Sequence, residues 1–282
     1  MKQEIKEVRT EENRGDHDIM KTIRKFLAAF SLYSKIPVPR FEAKEEDIKG
    51  CIMFLPIVGA VIAVVMFALM RLLSYFPVLI PAKAAISLLV PLVITGGFHL
   101  DGFMDVCDAV SSYRSKEEKL AILKDPHIGS FAVIRLAMAG LFAFAGLLLI
   151  LNIETREAKP LFVLVCGIFV LSRTMGALTS LVMKKAKDDG LLVKEAEDEG
   201  SAPIVFLMIT LIAALSFMVY IDVINTGVIM LSFAIYTFIY KRMVAKNFGG
   251  VTGDTAGYYI TVSTVFAICA FAVSVLAQEW FT

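Results

Sequence analysis

The stretch KAAISLLVPLVITGGFHLDGFMDVCDAV, Lys83–Val110, carries no charge between Lys83 and Asp101, and then three aspartates within eight residues: Asp101, Asp105 and Asp108. An apolar run of this kind reads as a membrane span, which needs about 20 residues. Aspartate at the end of such a run is costly unless it faces water, protein or a ligand. The fold and the chemistry of the chain both turn on this junction.

The rest of the chain repeats the apolar theme. Of its 282 residues 57% are hydrophobic and only 20% charged, and the mean hydropathy is +0.73. Six further blocks resemble the first, so spans are expected at about 51–73, 77–99, 133–152, 160–182, 203–222, 226–244 and 257–277. The expected fold is all-α, a polytopic helical membrane bundle of about seven transmembrane helices. Ahead of it, IRKFLAAFSLYSKIPVPR (Ile23–Arg40) is too short to span and reads as an interfacial helix ending near Pro37 and Pro39. Residues 1–22 read as a polar cytoplasmic tail, and residues 23–282 as a single membrane-embedded domain.

Lysine and arginine fall on alternate loops. The second loop has Arg114, Lys116, Lys119, Lys124 and Arg135; the fourth has Lys184, Lys185, Lys187 and Lys194; the sixth has Lys241, Arg242 and Lys246; the loops between them carry few or none. Because cytoplasmic loops concentrate these residues, the N-terminus is expected inside and the C-terminus outside. The aspartates and the glycine-rich GGVTGDTAG (Gly249–Gly257) then lie on the same, cytoplasmic side. A net charge of +1 gives no footprint for nucleic acid. Cys51, Cys107, Cys166 and Cys269 have no metal-ligand spacing.

Asp101, Asp105 and Asp108 are spaced i, i+4, i+7, which sets them on one helix face where like charges repel. A divalent cation relieves that repulsion, and Mg²⁺ is commonly held by one or two carboxylates with substrate phosphates and water. A solvated acidic face is the alternative. Asp125 adds a fourth carboxylate, with Gly129 permitting a turn, while Lys124 and Arg114 suit phosphate oxygens or serve only the loop-charge rule. In GGVTGDTAG, Gly250, Thr252 and Gly253 would let an anionic ligand approach the backbone at a helix N-terminus. Asp254 is either a metal ligand or the cap of the last span. No GKS or GKT follows, so a P-loop is excluded. Arg173, inside the fourth span, either faces a functional partner or snorkels. His99 is either a general base or a packed neutral imidazole, and His127 is a weaker candidate.

Taken together, FLAAFSLYSKIPVPR, MFLPIVGAVIA, TGGFHLDGFMDVCDAV, KLAILKDPHIGSFAVI, LSR and GGVTGDTAG resemble, in this order, the blocks of the cobalamin synthase (adenosylcobinamide-GDP ribazoletransferase) family. The resemblance implies an Mg²⁺-dependent membrane enzyme of the last steps of coenzyme B12 assembly. It would join adenosylcobinamide-GDP to alpha-ribazole or its 5'-phosphate and release GMP. It places the family's HLDGxxDxxD motif on His99, Asp101, Gly102, Asp105 and Asp108, and KDxxIG on Lys124, Asp125, Ile128 and Gly129. GGxTGD falls on Gly249, Gly250, Thr252, Gly253 and Asp254. Catalytic roles are implied for His99, Asp101 and Asp105. Metal binding is implied for Asp101, Asp105, Asp108, Asp125 and Asp254. Substrate contacts are implied for Lys35, Gly102, Arg114, Lys124, Gly129, Arg173, Gly250, Thr252 and Gly253. The chain departs from the family pattern at Ala109 (glycine), at Lys35 (arginine) and between Tyr258 and Thr264, where an acidic residue is absent.

The implied setting is the inner membrane, multi-pass, with the lipid bilayer as surroundings and the site facing the cytoplasm. The implied association is a homo-oligomer or a complex with other B12-assembly enzymes. A CDP-alcohol-type phosphotransferase also uses aspartates at a span's cytoplasmic end. That class requires an Ala-Arg pair after the cluster, which this chain lacks. A transporter would place its charge near the bilayer midplane.

Overall fold

The computed structural model describes residues 19–157, 160–187, 190–197 and 200–281. Residues 1–18 of the expected tail lie outside these. The chain begins with helix α1 (residues 19–33), followed by the short α2 (Glu45–Ile48) and a 3₁₀ turn that leads into α3 (Leu55–Leu73). Then come α4 (Ile80–Thr95), α5 (Phe98–Ser111), α6 (Lys116–Ile122), α7 (Ser130–Glu157), α8 (Leu161–Val182), α9 (Leu191–Ala196), α10 (Ala202–Ile221), α11 (Val223–Asn247) and α12 (Gly253–Phe281). No named strand occurs among the described residues. Among the described residues six helices are long and apolar enough to cross a membrane, or seven if α4 and α5 count as one broken span.

That broken span is the main departure from the expected layout. The sequence predicts an uninterrupted helix over 77–99; instead the chain turns through 98° between α4 and α5. Gly96 and Gly97 both take left-handed backbone, at φ 63° and 79°, which two successive L-residues with side chains would resist. Thr95 Oγ1 donates to Pro91 O at 2.8 Å and accepts from Gly97 N at 3.3 Å, closing the end of α4. Lys35, just beyond α1, donates its backbone N–H to Ile94 O at 2.7 Å, and its side chain lies over Gly96. The expected ending near Pro37 and Pro39 is thus a helix end at residue 33 followed by an extended segment that pins the break.

The break sends α5 along α12 rather than through the bundle. A side chain at Gly102 would meet the Asp254 backbone at 2.7 Å, and one at Gly257 would meet His99 O at 2.7 Å. The two backbones therefore touch, running antiparallel, with Thr261 Oγ1 donating to His99 O at 3.4 Å. Close approach through small residues is how membrane helices gain packing when lipid is as apolar as leucine. Helix α8 lies at the centre, against α3, α10 and α12. Its Thr174 and Thr179 return their hydroxyls to backbone carbonyls. The four cysteines are unbridged, and Cys51, Cys107 and Cys166 are buried.

At the N-terminal edge, Arg24 Nε and Nη2 grip Asp47 at 2.8 and 2.7 Å, tying α1 to α2. The guanidinium holds the Asp47 carboxyl below the usual carboxylate range. Lys194 to Glu45 (2.7 Å) and Lys49 to Glu197 (3.0 Å) clasp α9 to the same edge.

Because α5 and α12 meet backbone to backbone, Gly257→Val should force them apart. The expected loss is about 1–3 kcal/mol, read as a lower melting temperature in detergent, whereas Gly140→Val, where nothing lies near the added atom, should melt close to wild type.

Candidate active site

The α5–α12 crossing sets one end of a cavity of about 320 Å³. Its walls are Phe98, Asp101 and Gly102 of α5, Leu123 and Lys124 beyond α6, Lys187 beyond α8, and Leu191, Leu192 and Val193 of α9. Thr252, Gly253, Asp254 and Gly257 complete it at the start of α12. Asp101 is exposed and Asp254 half-buried, so two carboxylates from two helices share one recess with two lysines. Asp105, one turn along α5, is in electrostatic contact with Asp101, Asp254 and Asp108.

The glycine-rich loop is held from behind. Val251 N donates to Lys184 O at 2.8 Å and Ala186 N to Val251 O at 3.0 Å, a one-pair bridge between this loop and the chain beyond α8. Gly250 sits against that chain: a Cβ there would meet Lys184 O at 2.5 Å. Thr252 N donates to Thr255 Oγ1 at 2.8 Å and Thr255 N to Thr252 Oγ1 at 3.2 Å. Thr252 thus caps α12, which leaves the Asp254 side chain to the cavity.

The row Asp101, Asp105, Asp108 divides. Both Asp108 oxygens accept backbone N–H groups at the start of α7, from Gly129 at 2.7 Å and Ala132 at 2.8 Å. That is an aspartate stabilising a helix N-terminus, and Gly129 leaves room for its carboxylate. Asp101 and Asp105 accept no side-chain hydrogen bond among the described residues. Ala109, where the family has glycine, is fully buried and packs its methyl with Val106 and Phe248.

Other candidates stand apart from the cavity. His99 (7% exposed) and Arg173 (4%) are buried and line a separate cavity of about 250 Å³ among α4, α5, α7, α8 and α12. Arg173 Nη1 donates to Phe169 O at 3.1 Å and Ser172 Oγ at 3.4 Å, and its guanidinium lies 5.7 Å from the Phe169 ring centre. Arg114 is exposed. Asp125 turns to its own neighbour, accepting from His127 N at 3.0 Å and contacting His127 Nδ1 at 2.6 Å, which draws its carboxyl below the ordinary range. The sequence counted Lys187 only toward loop charge and left Gly257 as one glycine of a loop; the structure makes one a wall of the cavity and the other the floor of a helix crossing.

Among the described residues no group of three or more His, Cys, Asp or Glu is arranged to hold a metal ion. Mg²⁺ requires less, because it keeps waters and takes substrate phosphates beside one or two carboxylates. Asp101 and Asp254, hard oxygen donors on one recess next to lysines, fit that requirement.

Two outcomes follow from the surroundings. Asp108→Ala removes the cap of α7 and should cost about 1–2 kcal/mol, read as a lower melting temperature in the presence of chelator. Glu195 of α9, which does not line the cavity, is 4% exposed, and burial pushes its carboxyl up to about 7, opposed by the neighbouring Tyr33 hydroxyl. A raised carboxyl contributes stability fully below its ordinary value of 4.5 and loses it as pH rises through about 7. Glu195→Gln should therefore melt like wild type near pH 4 and a few degrees higher above pH 8.

The family model described as cobalamin-5-phosphate synthase matches residues 25–272. An adenosylcobinamide-GDP ribazoletransferase of Lachnoclostridium phytofermentans is 38% identical over 249 residues, covering 86% of this chain and 90% of that protein. Proteins of the same name from Clostridium perfringens and Fusobacterium nucleatum are 32% and 28% identical, covering 82% and 88% of this chain and 90% and 96% of their own lengths. No solved structure matches. A match that starts within α1 and runs through both the aspartate row and the glycine loop leaves one assignment: the chain belongs to the cobalamin-5-phosphate synthase family.

Proposed function

We propose that this chain joins adenosylcobinamide-GDP to ribazole, or to its 5'-phosphate, and releases GMP, with the reaction seated in the Asp101–Asp254 cavity. The observation that carries the reading is the convergence of Asp101, Asp254, Lys124 and Lys187 on one recess. A diphosphate needs its charge neutralised during displacement: Lys124 and Lys187 supply positive charge directly, and Asp101 and Asp254 would do so by holding a divalent cation.

The ribazole 3'-hydroxyl oxygen attacks the phosphorus next to cobinamide, and the bond from that phosphorus to the bridging oxygen of GMP breaks. The hydroxyl proton passes to a carboxylate of the α5 row. Asp105 suits this better than His99, because it adjoins Asp101 and Asp254 whereas His99 faces the other cavity. Lys124 and Lys187 orient diphosphate oxygens as point charges. The N-terminus of α12, its N–H groups bared by Gly253, favours an anion in the same recess. Asp101 and Asp254 would hold Mg²⁺, which supplies Lewis-acid polarisation and charge neutralisation at the phosphoryl group when bound.

The loop charges and the shared recess support a cytoplasmic site in a multi-pass inner-membrane protein with its N-terminus inside. In proteoliposomes with both substrates and Mg²⁺, GMP release is the expected signal. Asp101→Asn and Asp254→Asn should each lower it about a hundredfold or more, and EDTA should abolish it until Mg²⁺ is restored. Lys187→Gln should act mainly on KM. Undiminished turnover in both aspartate variants would overturn the site.

A further inference from the structure

Behind the glycine-rich loop lies a third cavity, of about 490 Å³, between the end of α8 and α11. It shares no lining residue with the reaction cavity. Its lower wall is aliphatic, from Leu178 and Val182 of α8 and Val244 of α11, and Val182 is 70% exposed. At its rim stand two lysines, Lys184 of the segment just beyond α8 and Lys241 of α11. Both are exposed, and neither has an ion-pair partner among the described residues. Thr179, Thr237, Met183 and Ala245 also line it, and Gly249 and Gly250 close it on the side of the loop.

We infer that this groove is a binding site for one anionic phospholipid, seated from the leaflet on the lysine-rich side. Both α8 and α11 are candidate spans; Lys184 follows the end of α8 and Lys241 lies in the last two turns of α11, so two lysines line the rim of an aliphatic slot. Basic pockets of this kind between spans on the lysine-rich side accept anionic head groups. The lysines take the phosphate, their stems and the aliphatic wall take the first acyl segments, and a zwitterionic lipid lacks the net charge the pair selects.

The seat is also structural for the reaction cavity. The short loop that exposes Gly249 and Gly250 to the groove exposes Gly253 and Asp254 to the recess, and Lys184 itself bonds Val251 through its carbonyl. A head group held by Lys184 and Lys241 braces that loop from behind.

The test uses the full chain in nanodiscs of phosphatidylcholine, with or without phosphatidylglycerol, and native mass spectrometry to count retained phosphatidylglycerol. Wild type and the Lys184→Arg/Lys241→Arg variant should retain it, and Lys184→Gln/Lys241→Gln should bind it roughly thirtyfold more weakly. Phosphatidylglycerol should raise turnover of wild type and not of the glutamine variant, whose lysines lie outside the reaction cavity. Equal retention by wild type and the glutamine variant would overturn the lipid site, as would displacement of the lipid by millimolar inorganic phosphate or glycerol phosphate. The turnover arm rests on the proposed reaction. Lysine-dependent retention without GMP release in any lipid would sink that reaction and leave the lipid site standing.

Discussion

The arrangement depends on backbone meeting backbone where α5 crosses the start of α12. With Gly102 against Asp254 and Gly257 against His99 O, the two helix axes lie closer than any pair of side chains would allow. Asp101 and Asp254 come to one recess as a consequence. Like charges resist this approach, and so do the stripped hydration shells of partly buried carboxylates. The compensation is van der Waals contact along the crossing, supplemented by Thr261 on His99 O.

That crossing requires the break at Gly96 and Gly97. A straight continuation of α4 would not lay Asp101 and Gly102 along the start of α12. The 98° turn instead lays α5 across the ends of α7 and α12, where helix N-termini offer N–H groups. A negative residue on α5 therefore finds either a helix start or the open recess. The oily run and the acidic row are consecutive in sequence because a single bend converts one environment into the other.

The sequence made the helical, multi-span architecture plain, because block length against bilayer thickness is a one-dimensional property. The carboxylate face was legible for the same reason: helical spacing needs no tertiary information. The bend was not. GG in an apolar run reads equally as a small-residue packing patch, and only its flanking bonds to Thr95 and Lys35 distinguish a break. Nor could spacing separate His99 and Arg173 from the aspartates, since motif adjacency does not say which side of a helix crossing a residue takes. His99 is two residues from Asp101 and lines a different cavity. Lys187 was counted for topology because a loop lysine has two sufficient explanations, and sequence alone does not rank them.

Asp101, Asp105 and Asp108 share a face but not a circumstance. Along the axis, Asp101 and Asp108 are separated by roughly 10 Å at 1.5 Å per residue. One small cation would have to draw both side chains to full stretch to use them together, while Asp108 already accepts two backbone N–H groups from α7. Asp101 instead has Asp254 across the crossing and Asp105 one turn away. The periodic pattern thus joins two functions along one helix: its far end anchors α7, and its near end supplies the charge of the recess. Fixing α5 at Asp108 sets the register of Asp101 against Asp254, so the capping aspartate acts on the reaction cavity through position without entering it.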